Sequence, residues 1–176
     1  MATDAAAKAL EAGGFPLDRV VGVVARDVLV AEPGLAFLRG LIDGRHPAPP
    51  FSRSTGIWLT QADEGRAAFA GIPSEGFFNP IGTIHGGWTS AILDSAMACA
   101  IHTTLAVGQG YTTVEMKLNF VRPVLPSSGR VTCGGVVIHR GGTLATSEGR
   151  LFDAAGKLLA HGTETCMIFD AGKRKG

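Results

Sequence analysis

Charge is scarce in these 176 residues: Asp, Glu, Lys and Arg together make up 18%, where about 25% is usual for soluble domains. Neither sign dominates, with 16 basic against 15 acidic side chains. The only basic cluster, Lys173, Arg174 and Lys175, sits at the C-terminal end and reads as a solvated tail. Nucleic-acid partners call for a basic patch, so that function class is excluded. Cysteine is also scarce. The three residues Cys99, Cys133 and Cys166 are odd in number, far apart and without a C-x-x-C pair. A disulfide framework and a zinc site are therefore not expected, and a reducing, cytoplasmic setting fits. The five histidines show no H-x-x-x-H spacing, so no metal ligand set is expected. Long apolar runs are missing too: the most apolar stretch, 91–101, contains Asp94 and is too short to span a bilayer. No secretory h-region opens the chain. Neither Ser90 nor Ser95 lies in a G-x-S-x-G elbow, and no G-x-x-x-x-G-K-[ST] loop is present. No cofactor is expected.

What the chain has in quantity is apolar and small residues: 45% hydrophobic, with 25 Gly. A chain of this length folds as one domain and buries about 70% of its extended surface, enough for a core without staples. Low charge on a small domain implies apolar surface that another subunit covers.

The organisation falls into a leader and connector over 1–50, a domain over 51–170 and the basic tail over 171–176. Residues 1–14 are Ala-rich and read as a short helix. The state of 15–30 stays open. Pro33-Gly34 starts a helix over 35–42 that Gly44 ends, and the proline-rich 45–52 reads as an extended connector. Strands are expected at 56–59 and 66–72 around Asp63-Glu64-Gly65. A loop rich in Gly, Pro and Asn follows over 73–83, then a long helix from Gly86 to about Leu105. Four strands complete the chain, at 112–121, 130–140, 143–153 and 157–169, separated by Gly- and Pro-containing turns. One strand pair, one long helix and four strands make an α+β antiparallel sheet around a single helix.

That helix opens GGWTSAILDSAMACAI, small or apolar on every face, as for a helix buried all round. Asp94 is its only ionisable group before His102. A buried carboxylate is costly unless paired or used; a surface Asp or a locally bonded one is the plainer alternative. Gly86 and Gly87 leave backbone N–H groups bare at the positive end of the helix dipole, where they can hold an oxyanion or a polarised carbonyl. Asn79 could donate to the same oxygen, and His85 could support the loop or donate as well. An H-G-G alone equally describes a Gly-rich loop around a core histidine. Asp94 lies eight residues past Gly86, about 12 Å along the axis and about 80° round it. If both groups serve one site, the aspartate of one subunit must meet the glycine loop of another, giving two sites per two-fold dimer.

The pattern N-P-x-G-x-x-H-G-G-x₆-D, from Asn79 to Asp94, resembles the active-site segment of the hotdog-fold acyl-CoA thioesterases, in particular the PaaI-like (phenylacetate-degradation) family. TTVEMKLNFVRPV at 112–124 and RGGTLATSEGRLFDAAGKLLAHGTET at 140–165 resemble its later strands. The resemblance spans about 50–169. It implies an antiparallel sheet wrapped around a central helix, a homodimer or homotetramer, and sites between subunits. It implies that Asn79 and the Gly86 N–H hold the thioester carbonyl with His85 in support. It further implies that Asp94 is the catalytic base or nucleophile, and that Thr113, with Thr112 beside it, supplies the hydroxyl that places water. Gly87 joins the binding loop, and Arg122 and Arg140 are candidates for the phosphates of coenzyme A. Phe77, Phe78 and Trp88 either line the acyl pocket or pack the core. The expected activity is hydrolysis of a small or medium hydrophobic or aryl acyl-CoA. The alternatives are a noncatalytic hotdog module that binds acyl-CoA or another apolar ligand, and a hydratase, against which the H-G-G-x₆-D spacing argues.

Overall fold

A sheet can wrap a helix only where the helix presents small side chains or the sheet presents none, and here both conditions hold. The computed structural model describes residues 18–171. The Ala-rich helix expected over 1–14 and the basic tail lie outside the described residues. Three short helices come first: α1 (Arg26–Ala31), α2 (Gly34–Asp43) and α3 (Pro50–Thr55). The strands β1 (Ile57–Asp63) and β2 (Arg66–Gly71) precede the central helix α4 (Gly86–His102). After it come β3 (Gln109–Phe120), β4 (Val131–Arg140), β5 (Leu144–Phe152) and β6 (Leu158–Asp170).

The six strands form one antiparallel sheet in the order β1-β2-β4-β5-β6-β3. Helix α4 packs on the concave face, with Ile92, Leu93, Ala96, Met97, Ala100 and Ile101 fully buried. Register puts Gly135, Gly149 and Gly162 side by side across β4, β5 and β6. A Cβ on Gly135 would lie 2.1 Å from the Ala96 carbonyl oxygen, and one on Gly149 would lie 2.7 Å from Met97 Cγ. Gly135 and Gly149 let the helix approach the sheet closely, while a Cβ on Gly162 would meet Lys117 and Leu118 of β3 instead. This is the hotdog arrangement expected from the sequence.

Two expectations need correction or extension. The connector over 45–52 is not extended throughout, because Pro50 begins α3. Proline's fixed φ and missing N–H suit a first helical turn, and Gly56 ends it at φ 64°. The undecided 15–30 stretch forms α1 at its end. The leader is not a detached arm: Phe37 and Leu38 of α2 are buried with Ala62 of β1. At the start of α2, a Cβ on Gly34 would lie 1.9 Å from the His102 carbonyl oxygen, so only glycine lets α2 reach the end of α4. No helix among the described residues is long and apolar enough to cross a membrane.

Candidate active site

The loop entering α4 is held by its own residues. Asn79 Oδ1 accepts the backbone N–H groups of Ile81 and Thr83, both at 3.1 Å, and its Nδ2 donates to Thr83 Oγ1 at 2.7 Å. Gly82 takes φ 80° to close this turn. His85 N–H donates to the Phe77 carbonyl at 2.7 Å, tying the loop to the preceding 3-10 turn. His85 is also the N-cap of α4, its Nδ1 accepting Gly87 N–H at 2.8 Å. That bond leaves the ring proton on Nε2. It also corrects the reading of Gly87, whose N–H is used by His85. Gly86 N–H has no partner among the described residues, and it points out along the helix's positive end.

Asp94 lies midway along α4, half-buried, beside β3. Its Oδ1 accepts from Thr113 Oγ1 at 3.2 Å. A β-bulge between Thr113 and Glu115 explains why this threonine faces inward. Strand periodicity would put residues 113 and 115 on one face; the extra residue, Val114, reverses the alternation. Thr113 consequently pairs with the inward Cys166, while Glu115 pairs with the outward Thr165. Thr112 is exposed and takes no part. Burial raises the Asp94 carboxyl above the usual carboxylate range, and the Thr113 bond opposes this in part.

Sequence reasoning missed a second carboxyl. Glu164 on β6 is only 1% exposed, and Thr113 Oγ1 lies 2.7 Å from its Oε1. Cys166 Sγ donates to the same oxygen at 3.1 Å. Desolvation, with Asp94 nearby, pushes the Glu164 carboxyl up to about 7. The signal was present in β6: strand alternation puts Glu164 on the face of Ala160, Gly162, Cys166 and Ile168, all buried.

The loop and the Asp94 cluster line different cavities of this chain. A cavity of about 440 Å³ holds Asp94, Ser95, Ala98, Cys99 and Tyr111 in its wall, with Leu38, Leu41 and Ile42 of α2 and Trp58 of β1 around them. A second, of about 290 Å³, is lined by Asn79, Thr83, Gly86, Thr89, Phe120, Val121 and Arg122. The two share no residue. Arg122 therefore lies with the loop, its Nη1 donating to the Leu158 carbonyl at 2.6 Å. Arg140 does not. Its guanidinium bonds Thr104 Oγ1 at 3.1 Å, Gln109 Oε1 at 3.0 Å and the Gly141 carbonyl, so it ties the end of α4 to the sheet rather than meeting the loop. Trp88 is a core residue, 6% exposed, stacked on Phe77 and donating from Nε1 to Thr55 O at 2.8 Å; Phe78 is partly exposed. The Ser90 and Ser95 hydroxyls donate to the carbonyls of Gly86 and Ala91, each at 2.8 Å, in the back-bonding typical of helical serine. Among the described residues, no group of three or more His, Cys, Asp or Glu is arranged to hold a metal ion.

Comparison with known proteins gives a consistent picture. The model of the thioesterase superfamily matches residues 81–160, from the glycine loop into β6. Human acyl-coenzyme A thioesterase 13 is 32% identical over 130 residues, which is 73% of this chain and 91% of that protein. Among solved structures, a phenylacetic acid degradation-related protein from Ralstonia eutropha superposes with a TM-score of 0.68 at 28% identity, over 74% of this chain and 98% of that one. The PaaI protein of the E. coli phenylacetic acid degradation operon shares the fold, with a TM-score of 0.66 at 18% identity over 79% of this chain and 96% of its own.

Proposed function

The chain belongs to the thioesterase superfamily, and from that membership we propose that it hydrolyses acyl-coenzyme A thioesters with small or medium apolar acyl groups. One observation carries the reading. Asp94, with the Thr113 hydroxyl on its Oδ1 at 3.2 Å, stands in the wall of a 440 Å³ cavity whose other walls are largely apolar. A thioester is already activated, so hydrolysis needs a polarised carbonyl and a delivered water. Gly86 N–H, unpartnered at the helix start, donates to the thioester oxygen and to the oxyanion that forms there. Asn79 and His85 shape the loop that presents it; the second N–H of Asn79 Nδ2 and the Nε2–H of His85 are further donors. Asp94 accepts the proton of a water that Thr113 helps place, and that water adds to the carbonyl carbon. Collapse breaks the C–S bond, and the departing thiolate takes the proton that Asp94 accepted, which restores the carboxylate. Partial burial of Asp94 brings its carboxyl nearer the working pH, as suits a general base. Arg122, exposed beside the loop cavity, is placed to meet a coenzyme A phosphate.

The separation of the two cavities supports a site completed by a second copy. Strand β3 is an edge of the sheet, and an unpaired edge invites a partner strand. Phe120 packs within 3.6 Å of where a Gly86 Cβ would stand, so the β3 end carries the loop half-site and Thr113 carries the acid half-site. Two copies of β3 paired antiparallel about a two-fold axis between Met116 and Lys117 would set residue 113 of one opposite residue 120 of the other. Each loop would then face the other copy's Asp94. An exposed Phe120 (57%) and Val114 (54%) on that strand fit a surface that is covered in the assembly.

The test is release of free thiol from a panel of acyl-CoA substrates. Asp94→Asn is expected to lose about 10³-fold in kcat while retaining its assembly and its binding of coenzyme A. Turnover at the wild-type level by this variant would contradict the assignment.

A further inference from the structure

Thr113 Oγ1 stands between two carboxyl oxygens, 2.7 Å from Glu164 Oε1 and 3.2 Å from Asp94 Oδ1. A hydroxyl has one proton to give. Both contacts are hydrogen bonds only if one of the two carboxyls is itself protonated and donates to Oγ1. Burial decides which. Asp94 is half-buried and opens on the 440 Å³ cavity. Glu164 is 1% exposed, and its Oε2 is buried with no hydrogen-bond partner. Ser147 Oγ, on the residue paired with Glu164 across β5 and β6, is likewise buried and unpartnered. Among the described residues, no cation stands among the groups that face Glu164. From α4 come Asp94 and Cys99, from β3 Tyr111 and Thr113, from β5 Ser147, and from β6 Cys166. An ionised Glu164 would be a buried carboxylate with no counter-charge and one unserved oxygen, the costliest arrangement available there.

We propose that Glu164 is a positioning residue: as a carboxylic acid it donates to Thr113, which turns that hydroxyl's single proton onto Asp94 and leaves Asp94 the ionised member of the pair. The inference rests on the reading of Asp94 as the base of a thioesterase. Cys99 is pushed up to about 12, and Cys166 and Tyr111 are also raised by burial, while His102, its ring tilted against that of Tyr111, is lowered to about 4 by burial. Near neutral pH neither the thiols, nor Tyr111, nor His102 therefore changes its charge. Glu164 loses its proton as pH rises through about 7. The Thr113 hydroxyl then turns to Glu164, and Asp94 loses its donor and gains a negative neighbour. Turnover accordingly falls on the alkaline side even though Asp94 is ionised there.

Glu164→Gln keeps the shape and supplies a permanent amide donor. In kcat measured from about pH 5.5 to 9, wild type is expected to fall about tenfold above neutrality, at one decade per 1.4 kcal/mol of lost placement. The variant is expected to start two- to fivefold lower at about pH 6 and to show no such fall, with KM little changed in both. Infrared spectroscopy supplies an arm independent of activity. Wild type at about pH 6 should show a buried protonated-carboxyl band that vanishes on titration through about 7 and is missing from Glu164→Gln. If that variant does not fold, Thr113→Val replaces it: the carboxyl band should remain but shift as its acceptor is lost. A descending limb unchanged in Glu164→Gln, or no titrating protonated-carboxyl band in wild type, overturns the proposal. A wild-type protein that releases thiol from no acyl-CoA overturns the function instead and leaves the infrared result to stand alone.

Discussion

The loop leads into the 17-residue central helix and the acid cluster sits on that helix's flank, yet they depend on different parts of the chain. Most bonds that shape the loop run between residues of 77–87, such as those of Asn79 to Thr83 and of His85 to Gly87. The cluster joins Asp94 to Thr113, 19 residues away, and Thr113 to Glu164, 51 residues further. It exists only because a bulge turns Thr113 inward and because β6 lies beside β3 in the sheet. The loop is largely a local device, tied further off by the bond of Ile84 N–H to the Val124 carbonyl at 3.1 Å. The cluster is a product of tertiary register, and it should fail whenever the helix and sheet cannot meet.

The sharpest way to break the loop half alone is Gly86→Pro. Proline is well suited to the first position of a helix, and His85 already has the extended conformation, φ −58° and ψ 137°, that a following proline prefers. A Cβ at Gly86 meets nothing nearer than Phe120 at 3.6 Å. The substitution thus removes an N–H that has no partner among the described residues, and little else. Thiol-release kinetics should show kcat lowered about 10²- to 10³-fold, with an unchanged melting temperature. Wild-type turnover would remove Gly86 from the oxyanion role.

The cluster half is tested through the sheet. Gly135→Ala drives a methyl to 2.1 Å from the Ala96 carbonyl oxygen, whereas Gly134→Ala, one residue away on the same strand, meets nothing within 4 Å. Chemical denaturation should show Gly135→Ala destabilised by about 3 kcal/mol and Gly134→Ala changed by less than about 0.5 kcal/mol. Equal effects would mean that the close approach of α4 is not what the glycine file provides.

Much of this was legible in the sequence because its signals were local. Gly44, Asp63-Glu64-Gly65, Gly141-Gly142 and Ala154-Ala155-Gly156 are turn chemistry, and they placed the elements between them to within a few residues. The uniformly small and apolar face of 86–101 announced a helix enclosed on all sides. Asp94 stood out as a lone charge in that stretch. The hidden features were non-local. Thr113 could be told from Thr112 only by the bulge at Val114, which no local pattern announces. The alternation of β6 puts Glu164 among apolar residues, but its place beside Thr113 follows only from the pairing of β6 with β3. Gly87 and Arg140 carry the right chemical groups, but His85 Nδ1 takes the first and Thr104, Gln109 and Gly141 take the second. The leader's part was equally hidden, since α2 becomes a cavity wall only when Gly34 lets it lie against His102.

The central claim is that the loop of one copy works with the Asp94 cluster of another. Subunit complementation tests it most directly. Asp94→Asn and Gly86→Pro chains, each nearly inactive alone, are co-expressed with different affinity tags, and the mixed assembly is isolated through both. A two-fold dimer of one chain of each kind contains one site with both substitutions and one with neither. Its thiol-release rate should therefore return to about half that of wild type. A mixed assembly no more active than its parents would place both halves of the site within a single chain and contradict the account.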